Sequence, residues 1–347
     1  MRAQLREFTI TLAEPMTTAA GEIDRREGWI VRVEAGDEVG LGEATPLPGW
    51  TESHDACLEG LERATGRLDA DGPEAALAAV EHAPAARHGL ETALADLRAR
   101  WAGVPLYRYL GDTGPIDRVP VNATIGDGDE RETVGAAREA VDSGFSTLKI
   151  KVGNRPVAAD AGRLRAVRDT VGQGVAIRAD ANGAWSSETA REALDELEPI
   201  GVEYVEQPLP SGDLDGHAAL SDSDRAVDIA LDETVVECGI DAVLDAGIAD
   251  VVILKPMVLG GPTPTVETAK RARAAGVDPV VTTTVDGVVA RTAAVHCVAA
   301  IPEPLPAGLA TGARIDGDLG PDPAPIRDGN AIVPGDKGLG VSGVWIE

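Results

Sequence analysis

Lysine is scarce in this chain, and three of its five lysines lie where a reaction could use them. Lys149 and Lys151 alternate in the segment Thr147–Val152, and Lys255 ends an apolar segment that begins at Val251. Alternate residues of a strand point to the same face, so the first two ammonium groups are expected to lie side by side. Arginine stays protonated, whereas a buried lysine shifts its pKa and can act as a base. The pattern therefore indicates proton transfer by lysine.

Three carboxylates stand at the ends of neighbouring apolar segments: Asp180, Glu206 and Asp232. In a parallel barrel the carboxyl ends of the strands share one mouth, where active sites lie. Oxygen ligands without histidine or cysteine suit Mg²⁺ or Mn²⁺ rather than zinc. Each carboxylate alone could instead cap a helix, but three at consecutive strand ends favour a metal site. Asp180-Ala-Asn-Gly183 hints at a calcium loop, yet its glycine comes two places too early for an EF-hand.

A divalent cation beside lysines suits removal of a proton next to a carboxylate. Such a proton is too weakly acidic to leave at neutral pH unless the enediolate that forms is stabilised, and a cation bound to the carboxylate oxygens stabilises it. The lysine that takes the proton must be neutral. A neighbouring cation and partial burial lower its pKa toward that state. Lys149 is such a neighbour of Lys151.

The elements that must position these residues repeat regularly after Arg118. Short segments rich in Val, Ile and Leu alternate with amphipathic helical stretches and begin about 25 residues apart, the length of one βα unit. The eight predicted strands are Val119–Ile125, Thr147–Val152, Val175–Asp180, Val202–Gln207, Val227–Asp232, Val251–Lys255, Val277–Thr284 and Leu305–Thr311. Their even spacing predicts a parallel (β/α)8-type barrel in an α/β protein, with an open doubly wound sheet as the alternative.

The rest of the chain is predicted to form a cap on this barrel. Residues 1–50 alternate like strands, and the stretch from Ser53 to Gly103 is helical and alanine-rich, so residues 1–118 are expected to be an α+β capping domain. The barrel is assigned to residues 119–319. Residues 320–347, rich in glycine and proline, are expected to form a tail that returns to the cap and completes it.

The composition limits the partners and the compartment. Acidic residues outnumber basic ones by 58 to 31, for a formal net charge of −27, so neither nucleic acid nor an anionic membrane is expected as a partner. The acids are spread along the chain, and with so few lysines they indicate adaptation to a very salty cytoplasm; an ordinary acidic protein is the alternative. Three widely spaced cysteines, and no signal peptide or membrane-spanning segment, also predict a reducing cytoplasm.

Together these segments resemble the muconate-lactonising branch of the enolase superfamily. The matching segments are Lys149-Ile-Lys151, Asp180-Ala-Asn-Gly183, Glu206-Gln-Pro208, Asp232-Glu233 and Lys255-Pro256. The stretch Leu90–Gly111 is similar to the superfamily's junction between cap and barrel, so the resemblance covers nearly the whole chain. It implies that cap loops lie over the barrel mouth, at Thr17–Gly21 and Pro46–Trp50.

Two other branches fit less well. A mandelate-racemase type needs a histidine base near strand seven, but that strand ends in Val281-Thr-Thr-Thr284, and all five histidines are expected on the surface or on helices. Dipeptide epimerases carry an Asp-x-Asp after strand eight to hold the substrate's ammonium group. Here the corresponding segment is Gly308-Leu-Ala-Thr-Gly312, which has no acid.

Within the branch, the chain resembles the o-succinylbenzoate synthases most closely, through Gly42–Trp50, Val281–Gly287 and Gly308–Gly312. This implies a Mg²⁺-dependent syn-dehydration of 2-succinyl-6-hydroxy-2,4-cyclohexadiene-1-carboxylate, a step of menaquinone biosynthesis. The first alternative is racemisation of N-acylamino acids, and a cycloisomerase or a dipeptide epimerase follows. A non-catalytic barrel that binds a metal or metabolite is a hypothesis of another class, but it needs the carboxylates and not three lysines.

The resemblance also implies a role for each residue. Lys151 would take the α-proton and then assist departure of the hydroxyl group, Lys255 would stabilise the enediolate as a cation, and Lys149 would tune Lys151. The expected Mg²⁺ or Mn²⁺ ligands are Asp180, Glu206 and Asp232. The residues expected around the ligands or the substrate are Arg178, Asn182, Glu233, Thr282, Thr283 and Gly308; for the last three an ordinary barrel rim is an equal alternative. The expected partner is a small carboxylate substrate. Assembly into a homo-oligomer is the other interaction that is compatible with the sequence.

Overall fold

The structure is a computed structural model that describes residues 1–18, 21–111, 113–221 and 225–345. The described strands form an antiparallel sheet of four strands, a parallel sheet of seven and a small antiparallel sheet of three. None of the described helices has the length and apolar character that crossing a membrane requires.

The N-terminal part is the antiparallel sheet with helices packed on it, as predicted. Its elements are β1 (Arg2–Thr18), β2 (Gly21–Ala35), β3 (Glu38–Ala44), α1 (His54–Asp71), α2 (Pro73–Ala78), α3 (Pro84–Ala102) and α4 (Leu106–Leu110). Val31 and Val33 of β2 are buried in one apolar core with Leu90 and Leu94 of α3. Helix α3 can lie close to the sheet because strand β3 has a glycine at the contact. A Cβ on Gly42 would lie 1.9 Å from a carbonyl oxygen of α3.

The C-terminal part carries the parallel sheet and its helices. Its elements are β4 (Arg118–Pro120), β5 (Ala123–Ile125), α5 (Glu130–Asp142), β6 (Thr147–Lys151), α6 (Val157–Val171), β7 (Ala176–Asp180), α7 (Ser187–Leu197), β8 (Val202–Glu206), α8 (Leu214–Ser221), β9 (Asp228–Leu231), α9 (Glu233–Cys238), α10 (Ile240–Ala246), β10 (Val251–Leu254), α11 (Pro256–Leu259), α12 (Pro262–Ala274), β11 (Asp278–Val281), α13 (Val288–Ala299), β12 (Ile315–Asp316), β13 (Ile326–Arg327) and β14 (Asn330–Ile332). Strands β5 to β11 lie side by side in chain order, all parallel. This order confirms the predicted barrel-type fold with an α+β cap.

The eighth predicted strand, Leu305–Thr311, is wrong as a regular strand. It makes only isolated bridges, from Ala307 to Val121 and from Gly308 to Thr282, which close the sheet between its first and last strands. The reason lies in Pro304 and Pro306, which have no N–H group to donate to a ladder.

The first predicted strand, Val119–Ile125, is divided into two. Only β5 joins the barrel, whereas β4, which ends at Pro120, pairs with β14 in the small antiparallel sheet. The run of apolar residues therefore indicates where the barrel begins. It does not show that the chain passes from the small antiparallel sheet to the parallel sheet within that run.

The C-terminal segment returns to the cap. Strand β12 pairs with β1, so the return begins at Ile315, inside the segment predicted for the barrel. Asp96 of α3 fixes the tail, because its two carboxylate oxygens accept hydrogen bonds from Leu41 N (2.9 Å) and from Leu339 N (2.7 Å). One buried carboxylate thus holds strand β3 and the tail against the same helix.

The cap is also tied directly to the barrel by Glu43 of β3. Its carboxylate accepts hydrogen bonds from Gly287 N (2.7 Å) and Ala290 N (3.0 Å), the free amide groups at the start of α13. Burial, together with the nearby charge of Asp286, raises the pKa of Glu43 to about 7. A cap side chain therefore fixes the helix that follows β11, next to the barrel mouth.

Candidate active site

The site is built at the carboxyl ends of the parallel strands, beginning with the two lysines of β6. The strand pairing places Lys151 opposite Asp180 of β7, and Asp180 opposite Glu206 of β8. Lys151 Nζ donates to Asp180 Oδ2 at 2.7 Å, and Lys149 Nζ donates to Glu206 Oε1 at 2.6 Å. Lys149 Nζ also lies 2.9 Å from Asp180 Oδ2. The two ammonium groups thus lie side by side, which the alternation predicts, and they share the carboxylate of Asp180.

The third lysine lies across the barrel mouth. Three strands separate β6 from β10, so Lys255, which follows β10, stands on the opposite wall from Lys151. Its ammonium group is hydrogen-bonded to Asp232 and lies 3.8 Å from the ring centroid of Trp50. Trp50 belongs to the predicted cap loop Pro46–Trp50, so that loop does reach the mouth. The other predicted loop, Thr17–Gly21, includes residues 19 and 20, which lie outside the described residues.

The three carboxylates are buried, and their environments differ. Burial opposes ionisation of Asp180, but the charges of Lys149 and Lys151 outweigh it and lower its pKa. Burial and the charge of Asp180 raise the pKa of Glu206 to about 7. Burial opposes the charge of Lys149 as well, yet Asp180 and Glu206 raise the pKa of that lysine well above its ordinary value. Both carboxylates contact Lys149, but only Asp180 has a second ammonium group beside it, so the ionised form of Glu206 is the less stabilised of the two.

The carboxylates fit a hard divalent cation in their chemistry. Glu206 Oε2 is buried and has no hydrogen-bond partner among the described residues, which leaves an oxygen free to act as a ligand. A further positive charge beside Glu206, in addition to Lys149 and Lys151, would stabilise its ionised form. However, no three acidic, histidine or cysteine side chains in the described parts of the chain already converge as a metal site. Instead, lysine ammonium groups bridge the carboxylates.

Asn182 and Glu233 join the cluster as predicted neighbours. Asn182 Oδ1 accepts a hydrogen bond from Lys151 Nζ (2.6 Å), and its Nδ2 donates to Glu233 Oε1 (3.0 Å). Asn182 thus links the lysine of β6 to the start of α9. Their suggested roles around the ligands stay predictions.

Arg178 lies elsewhere than the sequence suggested. Its side chain is fully buried in the barrel interior, one layer below Asp180, where Nε donates to Glu203 Oε2 (2.7 Å) and Nη1 to Pro306 O (2.6 Å). The guanidinium also lies 4.8 Å from the Tyr204 ring centroid. These partners keep the side chain out of the pocket lining, so the structure does not place Arg178 next to a substrate carboxylate. The other suggested role, orienting the ligand shell from below Asp180, stays a prediction. Arg178 supports the closing segment 305–308.

Thr282 and Thr283 line the pocket, and Gly308 lies beside them in an adjoining cavity of about 170 Å³. Thr282 Oγ1 donates to Gly308 O (3.0 Å), and a Cβ on Gly308 would lie 2.4 Å from that hydroxyl oxygen. Glycine is therefore required where the last strand closes the barrel, and packing alone accounts for it. Contact of the two threonines with a substrate stays a prediction.

The pocket itself has a volume of about 280 Å³ and opens between barrel and cap. Besides the predicted lysines and acids it is lined by Leu47 and Trp50 of the predicted cap loop, and by Met16, Val285 and Arg314, which were not predicted as site residues. Val285 has a positive φ of 62°, a strained conformation for a β-branched residue. Neither periodicity nor the resembling segments point to Met16 or Arg314, because distant parts of the chain bring them to the pocket only on folding.

Gln207, the middle residue of the segment Glu206-Gln-Pro208, is a further positioning residue. Its Oε1 accepts hydrogen bonds from Asp232 N and Thr234 N, both at 3.1 Å, and its Nε2 donates to Leu209 O at 2.8 Å. The side chain is fully buried. It fixes the turn after β9 that presents Asp232.

Histidine and cysteine take no part in the described pocket lining. Four histidines are on helices (54, 88, 217 and 296), and His82 lies exposed in a turn, as expected. Cys57 and Cys297 are buried, and Cys238 is half-buried. The chemistry of the site therefore rests on lysines, carboxylates and the hydroxyl groups of the rim.

Comparison with known proteins shows to which family the chain belongs. Residues 132–343 match the model of the enolase C-terminal domain-like family, and residues 1–97 match that of the MenC N-terminal domain. The chain belongs to the enolase superfamily, in its muconate-lactonising branch.

Relatives within this superfamily cover almost the whole chain. The L-Ala-D/L-Glu epimerase of Bacillus subtilis is 30% identical over 312 residues, 86% of this chain and 84% of that protein. The o-succinylbenzoate synthase of Thermosynechococcus vestitus is 31% identical over 305 residues, 85% of this chain and 88% of that protein. A dipeptide epimerase from Enterococcus faecalis, complexed with Mg and the dipeptide L-Leu-L-Tyr, has a TM-score of 0.86 and 28% identity, covering 98% of this chain and 99% of that chain. The superfamily thus includes enzymes with several different activities.

Proposed function

We propose that this enzyme is an o-succinylbenzoate synthase, which dehydrates 2-succinyl-6-hydroxy-2,4-cyclohexadiene-1-carboxylate. The observation that carries the proposal is the charge of the pocket lining. Asp180 and Asp232 are the only acids among its described residues, and lysines are bonded to both, so no carboxylate is left for a substrate's ammonium group. Such a pocket suits an anionic substrate rather than a dipeptide. The match of residues 1–97 to the MenC N-terminal domain supports the same choice.

In the proposed reaction, Lys151 in its neutral form removes the proton on C1, next to the carboxylate. The electron pair of the C–H bond passes into the carboxylate, which becomes an enediolate. Lys255, an ammonium group on the opposite wall, stabilises the developing negative charge. Lys151, now protonated, returns its proton to the hydroxyl group on C6 from the same face. The C–O bond breaks, water leaves and the ring becomes aromatic, so Lys151 ends neutral again.

Other residues of the cluster hold this arrangement. Asp180, Glu206 and Asp232 are the residues proposed to hold Mg²⁺, or Mn²⁺, since both accept the same oxygens. When bound, such an ion neutralises the enediolate oxygens. Asn182 and Asp180 orient the Lys151 ammonium group through their hydrogen bonds.

The proposal is tested by following turnover of the cyclohexadiene carboxylate by ultraviolet absorbance, in molar KCl with Mg²⁺. Conversion that EDTA abolishes, and that Lys151→Ala lowers by about 10³-fold or more, is expected. Lys270→Ala, at an exposed lysine on α12, is the matched control and should keep wild-type turnover. Absence of turnover by the wild type, or full turnover by Lys151→Ala, would contradict the proposal.

Racemisation of N-acylamino acids is the second candidate. It is favoured by the placement of Lys151 and Lys255 on opposite walls of one pocket, because a racemase needs one base for each face. In D₂O a racemase exchanges the α-hydrogen of each enantiomer, one through each lysine. Exchange that is faster than dehydration under the same conditions would move the assignment to this activity.

A further inference from the structure

Arg314 lies on the rim of the pocket, outside the cluster of lysines and carboxylates. It ends the short turn Gly312–Arg314, in which its amide donates to Thr311 O at 3.0 Å. The next residue, Ile315, pairs with Leu12 of β1 in the cap sheet. The backbone of Arg314 is therefore held from both sides, by the barrel rim and by the cap, and its side chain lines the pocket from a fixed base.

The other cationic side chains of the pocket already contact carboxylates, whereas that of Arg314 does not. Lys149, Lys151 and Lys255 each contact a carboxylate of the cluster. In the parts of the chain that the structure describes, the guanidinium of Arg314 forms no hydrogen bond or ion pair. A guanidinium presents a planar fork of donors that matches a carboxylate with two hydrogen bonds.

The space beside Arg314 extends away from the lysines. A second cavity of about 330 Å³ shares Met16, Val285 and Arg314 with the pocket, so the two spaces meet at this arginine. Glu14 is the one acid lining that second cavity among the described residues, and it makes no ion pair with Arg314. A substrate whose reacting end lies at Lys151 can thus place a tail past Arg314.

We propose that Arg314 binds a second, non-reacting carboxylate, and so selects dicarboxylate substrates. This inference rests on the proposed function, in which that group is the carboxylate of the succinyl chain. That chain joins its carboxylate to the ring through a ketone and two methylene groups, which takes the second charge away from the reacting carbon. The net charge of −27 repels a dianion over the whole surface, so local cations are needed at both of its ends.

The test is the binding of two ligands to the full-length protein by titration calorimetry, with Mg²⁺ in molar KCl. The probes are o-succinylbenzoate, with two carboxylates, and 2-butyrylbenzoate, in which a methyl group replaces the succinyl carboxylate. Arg314→Ala is expected to weaken o-succinylbenzoate about tenfold and to change 2-butyrylbenzoate less than twofold. Arg131→Ala, at an exposed arginine on α5, should change neither affinity.

The outcomes separate this inference from the proposed function. Equal weakening of both ligands by Arg314→Ala, or no weakening of either, overturns the role of Arg314. If the wild type binds no o-succinylbenzoate, the proposed function fails. Arg314 is then judged by the same criterion on N-succinylphenylalanine and N-butyrylphenylalanine, which differ by the same carboxylate. Far-ultraviolet circular dichroism of each variant excludes loss of fold as the cause.

Discussion

The ammonium group of Lys255, at the end of barrel strand β10, lies 3.8 Å from the ring centroid of Trp50 in the cap. A cation over an indole face is attracted by the ring's quadrupole. Asp232 binds the same ammonium group from the barrel side. One residue of each structural part therefore positions Lys255, so cap and barrel complete the wall of the pocket together.

Replacing Trp50 is expected to lower turnover without unfolding the protein. Trp50→Leu removes the aromatic face, and we expect kcat to fall about tenfold, because a desolvated cation–π contact is worth on the order of 1–2 kcal/mol. Trp50→Phe keeps an aromatic ring, so its kcat should fall less than that of Trp50→Leu. Trp101→Leu, at a tryptophan of α3 that is half exposed, is the control. Wild-type kcat in Trp50→Leu would show that the contact has no role in the reaction.

Glu206→Gln is expected to weaken metal binding. The substitution removes the charge of the carboxylate whose Oε2 has no partner among the described residues. Because even outer-shell changes cost 10–100-fold in affinity, we expect loss of this ligand to cost at least about 100-fold. Mn²⁺ titration followed by electron paramagnetic resonance measures the affinity directly. Glu188→Gln, at an exposed glutamate of α7, should bind Mn²⁺ like the wild type; equal affinity in Glu206→Gln would refute the ligand assignment.

His296 is expected to make stability depend on pH between 6.5 and 4. Its Nδ1 accepts from Tyr107 N and its Nε2 donates to Leu339 O, so the folded protein holds the ring neutral. Burial lowers the pKa of His296 from its ordinary 6.5 to about 4. The unfolded chain therefore binds this proton at higher pH than the folded one. The stabilisation is complete above pH 6.5 and falls as the pH drops to 4, by about 3 kcal/mol.

The measurement for His296 is the free energy of unfolding by denaturant at several pH values. His296→Gln should remove the part of the decrease between pH 6.5 and 4 that His296 contributes, about 3 kcal/mol. The part from the buried His88 and His217, whose pKa values burial also lowers, should remain. His82→Gln, at an exposed histidine, should leave the decrease unchanged. An identical pH dependence in wild type and His296→Gln would contradict the account.

The net charge of −27 predicts a dependence on salt. Self-repulsion of the dispersed acids is screened by ions, so thermal stability should rise strongly from 0.05 to 2 M KCl. Unfolding at low ionic strength and recovery in molar salt are expected, with circular dichroism as the measurement. A melting temperature that does not change with KCl would reject adaptation to a salty cytoplasm and leave the mechanism untouched.

Much of the site could be predicted from the sequence because it lies at the ends of regular strands. The alternation of Lys149 and Lys151, and the spacing of Asp180 and Glu206, fix their relative places once the strands are parallel and in register. The same logic places Lys255 on the opposite wall. The two-residue period of a strand is enough to predict these relative positions.

The remaining features depend on contacts between distant segments. Arg178 has the right spacing for a site residue, but partners from β8 and segment 305–308 hold it in the interior. The rim residues Val285 and Arg314 belong to irregular loops that only the folded chain brings over the pocket. Prolines prevent a regular eighth strand, although its apolar residues resemble one. Local pattern does not record these tertiary contacts.

The central claim is that the lysine pair Lys151 and Lys255 serves dehydration of a cyclohexadiene carboxylate. The most direct test compares kcat/KM for that dehydration with kcat/KM for α-hydrogen exchange of N-succinyl amino acids in D₂O, using one preparation with Mg²⁺ in molar KCl. We predict that dehydration is more efficient by about 100-fold or more and that Lys151→Ala abolishes it. Efficient exchange with little or no dehydration would contradict the claim.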